Sequence, residues 1–82
     1  LNIEGQEYVV EAKIYRYPRQ FEQGKRQLAA YLRSLGQPEG WYLVFVPNHL
    51  DLQRMRISGG TETHEGVEIH TTLLLYDEKK DF

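Results

Sequence analysis

The residues best suited to chemistry are Glu11 and Lys13, which lie two positions apart in the run Val10-Glu11-Ala12-Lys13-Ile14. The apolar and β-branched residues around them predict a strand, and alternate residues of a strand point to one face of a sheet. The Glu11 carboxylate can bind a divalent cation, and Lys13 can orient a water molecule or help to deprotonate it. Such a pair suits phosphodiester hydrolysis. From these two residues alone, a surface ion pair is the alternative.

The strand of Glu11 is predicted to span residues 7–15 and to follow a first strand over residues 1–4, with a hairpin connection at Gly5-Gln6. Tyr8, Val10, Ala12 and Ile14 form its apolar face, which we expect to lie against a helix. The opposite face carries Glu11 and Lys13 where a ligand could reach them.

A helix is predicted over residues 18–35. Pro18 suits a first helical turn, Gly36 supplies a C-terminal stop, and Gly24 indicates a close approach of the helix backbone to another element. Gln27 and Tyr31 lie one turn apart on the same side of the helix, where both can lean over the sheet edge. The apolar stripe consists of Phe21, Leu28, Leu32 and Leu35.

The apolar run over residues 41–46, ended by Pro47, predicts a central strand that is buried on both faces. A strand, helix, strand order implies parallel pairing and a right-handed crossover. Residues 48–58 predict a loop with room for a short strand, and residues 67–76 predict a final strand after a turn at Glu65-Gly66. The sequence therefore predicts one α/β domain over residues 1–82, with a mixed sheet of about four strands, one main helix and a frayed tail at 77–82.

A Glu-x-Lys strand, followed by a helix with Gln27-Leu28 and Tyr31 and then by Gly40-Trp41-Tyr42, resembles the PD-(D/E)XK nuclease superfamily, particularly its RecB-like members. The run is more closely similar to nuclease-like domains at the C-terminus of bacterial proteins whose first domain is AAA-ATPase-like. The resemblance covers roughly residues 1–46 and extends weakly to the hairpin that ends in residues 66–70.

The resemblance implies a restriction-endonuclease-like core and a metal-dependent phosphodiesterase that acts on DNA in preference to RNA. Glu11 would be the catalytic metal ligand for Mg²⁺ or Mn²⁺ and Lys13 the second catalytic residue. Gln27 would position the nucleic acid or the lysine, and Tyr31 would pack and hydrogen-bond beneath the site. An N-terminal ATPase-like domain would share the parent chain.

The family also has an aspartate that ends the preceding strand and shares the metal. No aspartate occurs before Asp51, but Leu1-Asn2-Ile3 matches the remainder of the family's Asp-Leu-x-Ile strand. We therefore expect that aspartate directly ahead of Leu1, and expect the fragment without it to bind metal poorly and to cleave little or nothing.

Two alternatives to catalysis remain open. One is a catalytically silent domain of the same fold that binds nucleic acid or mediates subunit assembly in a larger ATPase-containing protein. The other is self-association of the fragment as a homodimer, through the outer side of the helix or an exposed sheet edge.

Basic side chains around the helix could contact phosphates, although charged helix faces are commonly only solvated. Tyr15 and Tyr17, which flank one of these basic residues, could stack on bases or pack in the core. The basic residues are Arg16, Arg19, Lys25, Arg26 and Arg33.

Two alternating pairs, Glu62 with His64 and Glu68 with His70, could face one zinc ion across the last hairpin. No glycine-rich phosphate loop precedes a helix, so the sequence indicates no ATPase activity of this segment itself.

The composition excludes functions that depend on cysteine and gives no sign of a membrane-spanning segment. The chain has 82 residues, a net charge of −2 and no cysteine. Disulfides and thiol catalysis are therefore absent, and any nucleic-acid contact requires a local basic patch. No apolar run reaches the length of about 20 residues that spans a bilayer, so we expect no membrane contact and a cytoplasmic location.

Overall fold

The computed structural model describes residues 1–55 and 57–77. Four strands form a mixed sheet and one long helix covers it, as predicted. The tail predicted to fray over 77–82 lies outside the described residues, apart from Asp77. In chain order the elements are β1 (Asn2–Ile3), β2 (Gln6–Glu7), β3 (Val10–Ile14), α1 (Pro18–Leu35), β4 (Glu39–Pro47), α2 (Leu52–Met55), β5 (Gly60–His64) and β6 (Val67–Tyr76).

The main sheet has the strand order β3-β4-β6-β5, and β1 and β2 form a separate antiparallel hairpin. β3, β4 and β6 run parallel to one another, whereas β5 runs antiparallel to β6. The central position of β4 and its parallel pairing with β3 confirm two predictions. The register places Glu11 beside Tyr42 and Lys13 beside Val44. Paired residues of adjacent strands share a face, so Glu11 and Tyr42 lie on the same side of the sheet.

The helix begins and ends at the predicted residues. Pro18 occupies its first turn, and Gly36 closes its C-terminus with a φ of 70° and an N–H that donates to the Arg33 carbonyl. The close approach predicted at Gly24 is also confirmed, because a Cβ atom there would lie 2.1 Å from the Tyr42 Oη. Neither described helix has the length and apolar character that crossing a lipid bilayer requires.

The core lies between α1 and one face of the sheet. Phe21, Leu28 and Leu32 of the helix are almost fully buried there. They pack on a sheet face formed chiefly by Tyr42, Val44, Val46, Val67 and Ile69.

The prediction for the two faces of β3 is wrong. Val10, Ala12 and Ile14 are exposed, whereas Glu11 and Lys13 are half-buried on the side of the helix. The reason lies in the register, because Glu11 and Lys13 pair with the most deeply buried residues of β4, and those are the residues that α1 covers. The alternation along β3 was predicted correctly, but the side that meets the helix was not.

β4 is also not buried on both faces as predicted. Tyr42, Val44 and Val46 are buried, but Trp41 and Leu43 are half-buried and Phe45 is exposed. Among the described residues no helix covers this second face, so its apolar side chains stay partly in contact with solvent.

Two local predictions are corrected as well. The first hairpin turns at Glu4-Gly5, where both residues have positive φ, and β3 starts afresh at Val10. The loop after Pro47 contains the short helix α2 instead of a strand, because Asp51 Oδ1 accepts hydrogen bonds from the N–H groups of Gln53 and Arg54. The turn at Glu65-Gly66 and the final strand are confirmed.

Candidate active site

A small cleft lies between β3 and the middle of α1. Its volume is about 100 Å³. It contains all four residues that the sequence singles out for chemistry, although they come from two separate elements. We call it the β3–α1 cleft, and its lining consists of Glu11, Lys13, Gly24, Gln27, Leu28 and Tyr31.

The charged pair of β3 lies at one wall of the β3–α1 cleft. Lys13 Nζ is 3.8 Å from Glu11 Oε1, and both side chains are between one third and one half exposed. The contact is a loose ion pair, because a tight bond between an ammonium and a carboxylate is about 2.7–2.9 Å long. The carboxylate and the ammonium therefore remain accessible to a ligand in the cleft.

Gln20 fixes the connection that places α1 over β3. Its amide oxygen accepts a hydrogen bond from the Arg16 N–H at 3.1 Å, and its Nε2 donates to the Ile14 carbonyl at 3.3 Å. The residue before the helix, Tyr17, makes no side-chain capping hydrogen bond. Gln20 thus ties the first turn of α1 to the end of β3 and sets the distance between the two walls of the cleft.

Tyr42 is the residue near the cleft that sequence reasoning missed. It lies beneath Gly24, is almost fully buried and donates its hydroxyl hydrogen to the Phe21 carbonyl at 3.1 Å. Burial, reinforced by the negative charges of Glu11 and Glu22, raises the pKa of Tyr42 to about 12. The phenol therefore stays protonated and acts as a fixed support. The only sequence signal for it is Gly24, whose missing side chain requires a bulky neighbour.

A larger surface depression adjoins the cleft and shares Glu11 and Tyr31 with it. Its volume is about 420 Å³. Glu7 adds a second carboxylate to its lining, beside the chain start at Leu1. The two cavities therefore meet at Glu11 and Tyr31.

The predicted nucleic-acid-binding residues divide into two groups. Arg16, Arg19 and Arg26 are exposed, so their guanidinium groups are accessible to phosphates. Lys25 differs from the prediction, because its side chain is only 6% exposed and its ammonium lies 2.7 Å from Glu62 Oε2. This ammonium also lies 4.5 Å from the centre of the Phe21 ring. Lys25 is therefore a structural residue that connects α1 to β5.

The remaining candidates for nucleic-acid contact also separate by exposure. Arg33 is partly exposed and forms an ion pair of 2.8 Å with Glu65. Tyr17 is exposed, whereas Tyr15 is buried with its ring centre 6.2 Å from that of Phe21. Burial raises the pKa of the Tyr15 phenol. For Tyr15 the structure thus supports the packing alternative.

Because Lys25 forms an ion pair with Glu62, we expect the folded protein to be less stable at low pH. The hydrogen bond from Lys25 holds the pKa of Glu62 below its ordinary value of 4.5, although desolvation opposes this effect. A carboxylate with a lowered folded-state pKa stabilises the protein above its unfolded-state pKa, and this contribution is lost as the pH falls through the folded-state pKa. We expect the melting temperature to fall below about pH 4.5, and to fall less steeply in Glu62→Gln. Thermal unfolding followed by circular dichroism at a series of pH values measures both curves.

The matched control for this prediction is Glu65→Gln. Glu65 pairs with Arg33 at nearly the same distance, but its side chain is 75% exposed. Exposed ion pairs contribute little to stability, so Glu65→Gln should leave the fall in melting temperature at low pH unchanged. If the melting temperatures of the wild type and Glu62→Gln fall equally at low pH, Glu62 is not the source of the pH dependence.

The alternative of a zinc ion held by both pairs across the last hairpin does not fit the structure. The turn at Glu65-Gly66 pairs His64 with Val67 and Glu62 with Ile69, so Glu62 and His64 face α1. Glu68 and His70 face the opposite side of the sheet, where His70 meets Glu39 instead. The two halves of the predicted site thus lie on different faces.

Comparison with protein-family models, with curated proteins and with solved structures finds no match to this chain.

Proposed function

We propose that this chain is a PD-(D/E)XK nuclease-like domain with a restriction-endonuclease-like core, and that it hydrolyses phosphodiester bonds of DNA or RNA with a divalent metal ion. The observation that carries the proposal is the β3–α1 cleft, which joins Glu11 and Lys13 of a strand to Gln27 and Tyr31 of the next helix. This set of residues combines a hard oxygen ligand, a cation and a hydrogen-bonding amide around one small cavity.

The donor set of the cleft fits Mg²⁺ or Mn²⁺ with few protein ligands. Glu11 offers carboxylate oxygens and Gln27 an amide oxygen, and Mg²⁺ commonly keeps several waters while one or two carboxylates hold it. When bound, such an ion would polarise the phosphate and lower the pKa of a bound water. Among the residues that the structure describes, no histidine lines the cleft, which agrees with a preference for hard cations.

The polar residues of the cleft have distinct roles in the proposed hydrolysis. Water attacks phosphorus and releases one proton to solvent, the ester bond between phosphorus and the leaving oxygen breaks, and the leaving oxygen takes up a proton from solvent. Lys13 orients the attacking water and balances the negative charge that develops on the phosphate. Gln27 positions the nucleic acid, Tyr31 lines the cleft beside it, and the exposed Arg16 and Arg19 contact phosphates further along the strand.

The second candidate function is a catalytically silent domain of the same fold that binds nucleic acid or mediates subunit assembly. The observation that favours it is the number of acids, because Glu11 is the one carboxylate that lines the β3–α1 cleft among the described residues. A single carboxylate seldom holds a magnesium ion by itself.

The experiment adds one carboxylate to the cleft. Leu1 and Tyr8 exchange backbone hydrogen bonds, so a residue added ahead of Leu1 would continue the pairing opposite Val9. Val9 packs toward the core, on the side of Glu11. An added aspartate is therefore expected to point toward Glu11, within reach of the same ion.

Cleavage of labelled single- and double-stranded DNA and RNA is measured with Mg²⁺ or Mn²⁺ for the chain and for its Asp-extended version. We expect little cleavage by the first and metal-dependent cleavage by the second. An Asn-extended version is the matched control, because it adds the same length without a charge. If the folded Asp-extended chain cleaves no substrate, the silent domain becomes the better reading, and fluorescence anisotropy with the same oligonucleotides tests its binding.

A further inference from the structure

Three potential metal ligands meet on the sheet face that α1 leaves open. Glu39 of β4 and Glu68 of β6 are register partners, and His70 lies two residues further along β6 on the same face. His70 Nε2 is 3.1 Å from Glu39 Oε2 and 3.9 Å from Glu68 Oε2. One ligand atom from each residue lies within 4.8 Å of the other two.

Among the described residues, no lysine or arginine side chain balances the negative charges of this group. Within residues 1–55 and 57–77, no lysine or arginine lies within ion-pair distance of Glu39 or Glu68. Like charges directly opposite one another on neighbouring strands destabilise a sheet. The arrangement therefore favours a cation between the two carboxylates, and His70 Nε2 is directed at the same position.

Two residues outside the group orient the imidazole ring. Thr61 of β5 places its Oγ1 2.9 Å from His70 Nδ1, and the Trp41 ring lies 5.2 Å from the His70 ring between centroids. The Glu39 carboxylate accepts a hydrogen bond from His70 Nε2, and a cation that replaces this proton would bind the Nε2 lone pair while Nδ1 donates to Thr61. Metal-binding histidines are held in this way, with the second ring nitrogen donating to an oxygen.

We propose that Glu39, Glu68 and His70 form a binding site for a divalent cation of the zinc class, separate from the β3–α1 cleft. Ligand atoms about 2.0–2.2 Å from a tetrahedral zinc ion lie about 3–4 Å apart, which matches the two distances from His70 Nε2. An imidazole with two carboxylates favours Zn²⁺ over Mg²⁺, which prefers oxygen ligands alone. The ligands are partly exposed, so the fourth position is open to water.

The site would stabilise the sheet as well as bind metal. It connects β4 to β6, and Thr61 extends the connection to β5. A cation that binds the folded chain in preference to the unfolded chain raises the free energy of unfolding by mass action. Zinc should therefore raise the melting temperature, a readout that does not depend on any nuclease activity.

The test is titration of the untagged chain with Zn²⁺ by isothermal calorimetry, together with thermal unfolding with and without Zn²⁺. We expect one ion per chain, a raised melting temperature and much weaker binding of Mg²⁺. His70→Gln should weaken zinc binding at least about tenfold and remove the thermal shift. Thr61→Val keeps all three ligands and should weaken binding by less than His70→Gln does.

Two control variants separate this site from the other parts of the chain. His64→Gln changes the histidine on the opposite face of the hairpin, and Glu11→Gln changes the proposed nuclease site; both should keep the zinc affinity of the wild type. Zinc binding that His70→Gln leaves unchanged, or that His64→Gln abolishes, would overturn the proposal, as would the absence of zinc binding. Circular dichroism checks that each variant is folded.

Discussion

Lys13→Ala is expected to abolish metal-dependent cleavage by the Asp-extended chain. Removing a group that orients a nucleophile or stabilises developing charge typically lowers the rate by about 10²–10⁴-fold. Among the described residues, Lys13 is the one lysine that lines the β3–α1 cleft. Lys25 lies outside this lining and forms an ion pair with Glu62. Single-turnover kinetics, with the protein in saturating excess over the oligonucleotide, measure the loss, because they separate the chemical step from substrate binding.

The fold should tolerate this change. Lys13 forms a loose, half-exposed contact with Glu11, and such pairs contribute about 0–1 kcal/mol to stability. Arg26→Ala is the control variant, because Arg26 is an exposed cation of the helix that does not line the cleft. It should weaken substrate binding more than it lowers the rate of the chemical step. Full cleavage by a folded Lys13→Ala chain would show that the lysine takes no part in the chemistry.

Gly24→Ala is expected to have the largest effect on stability. The added Cβ would lie 2.1 Å from Oη and 2.8 Å from Cζ of Tyr42, closer than atoms can approach. Tyr42 cannot turn aside, because it is almost fully buried and hydrogen-bonded to Phe21. Overpacking of this kind costs about 1–3 kcal/mol, which exceeds the helix-propensity gain of about 1 kcal/mol when the clash is severe.

Urea denaturation and thermal unfolding measure the effect of Gly24→Ala. For a domain of this size, each kcal/mol lowers the melting temperature by about 4–8 °C. Gln23→Ala, at the exposed neighbouring position, should leave stability within about 0.5 kcal/mol of the wild type. Adding Tyr42→Phe to Gly24→Ala removes the nearest clashing atom, so the two changes together should cost less than their sum. Strict additivity would contradict the proposed contact.

Gly24 also links stability to the candidate site. Its missing side chain lets α1 approach β4 and leaves room in the β3–α1 cleft. A shift of the helix away from the sheet would move Gln27 and Tyr31 relative to Glu11. Gly24→Ala in the Asp-extended chain should therefore lower cleavage even at temperatures where the variant remains folded.

Local signals in the sequence determined most of the secondary structure. α1 begins at Pro18 and ends before Gly36 because a fixed φ suits a first helical turn and a left-handed residue suits a helix end. β6 follows from its β-branched residues, and the turn before it follows from Gly66, since glycine readily adopts the positive φ seen there. These preferences act within a few residues, so one stretch of chain is sufficient to predict them.

Only the tertiary structure decided which face of a strand packs against the helix and which distant residues come into contact. β3 has alternating faces, and the sequence favoured the apolar one for the helix, but pairing with Tyr42 and Val44 turned Glu11 and Lys13 toward α1. The burial of Lys25 and the meeting of Glu39 with His70 likewise join residues that are distant along the chain. Strand register and helix placement depend on the packing of the whole core, and a local sequence pattern does not specify which element it will pack against.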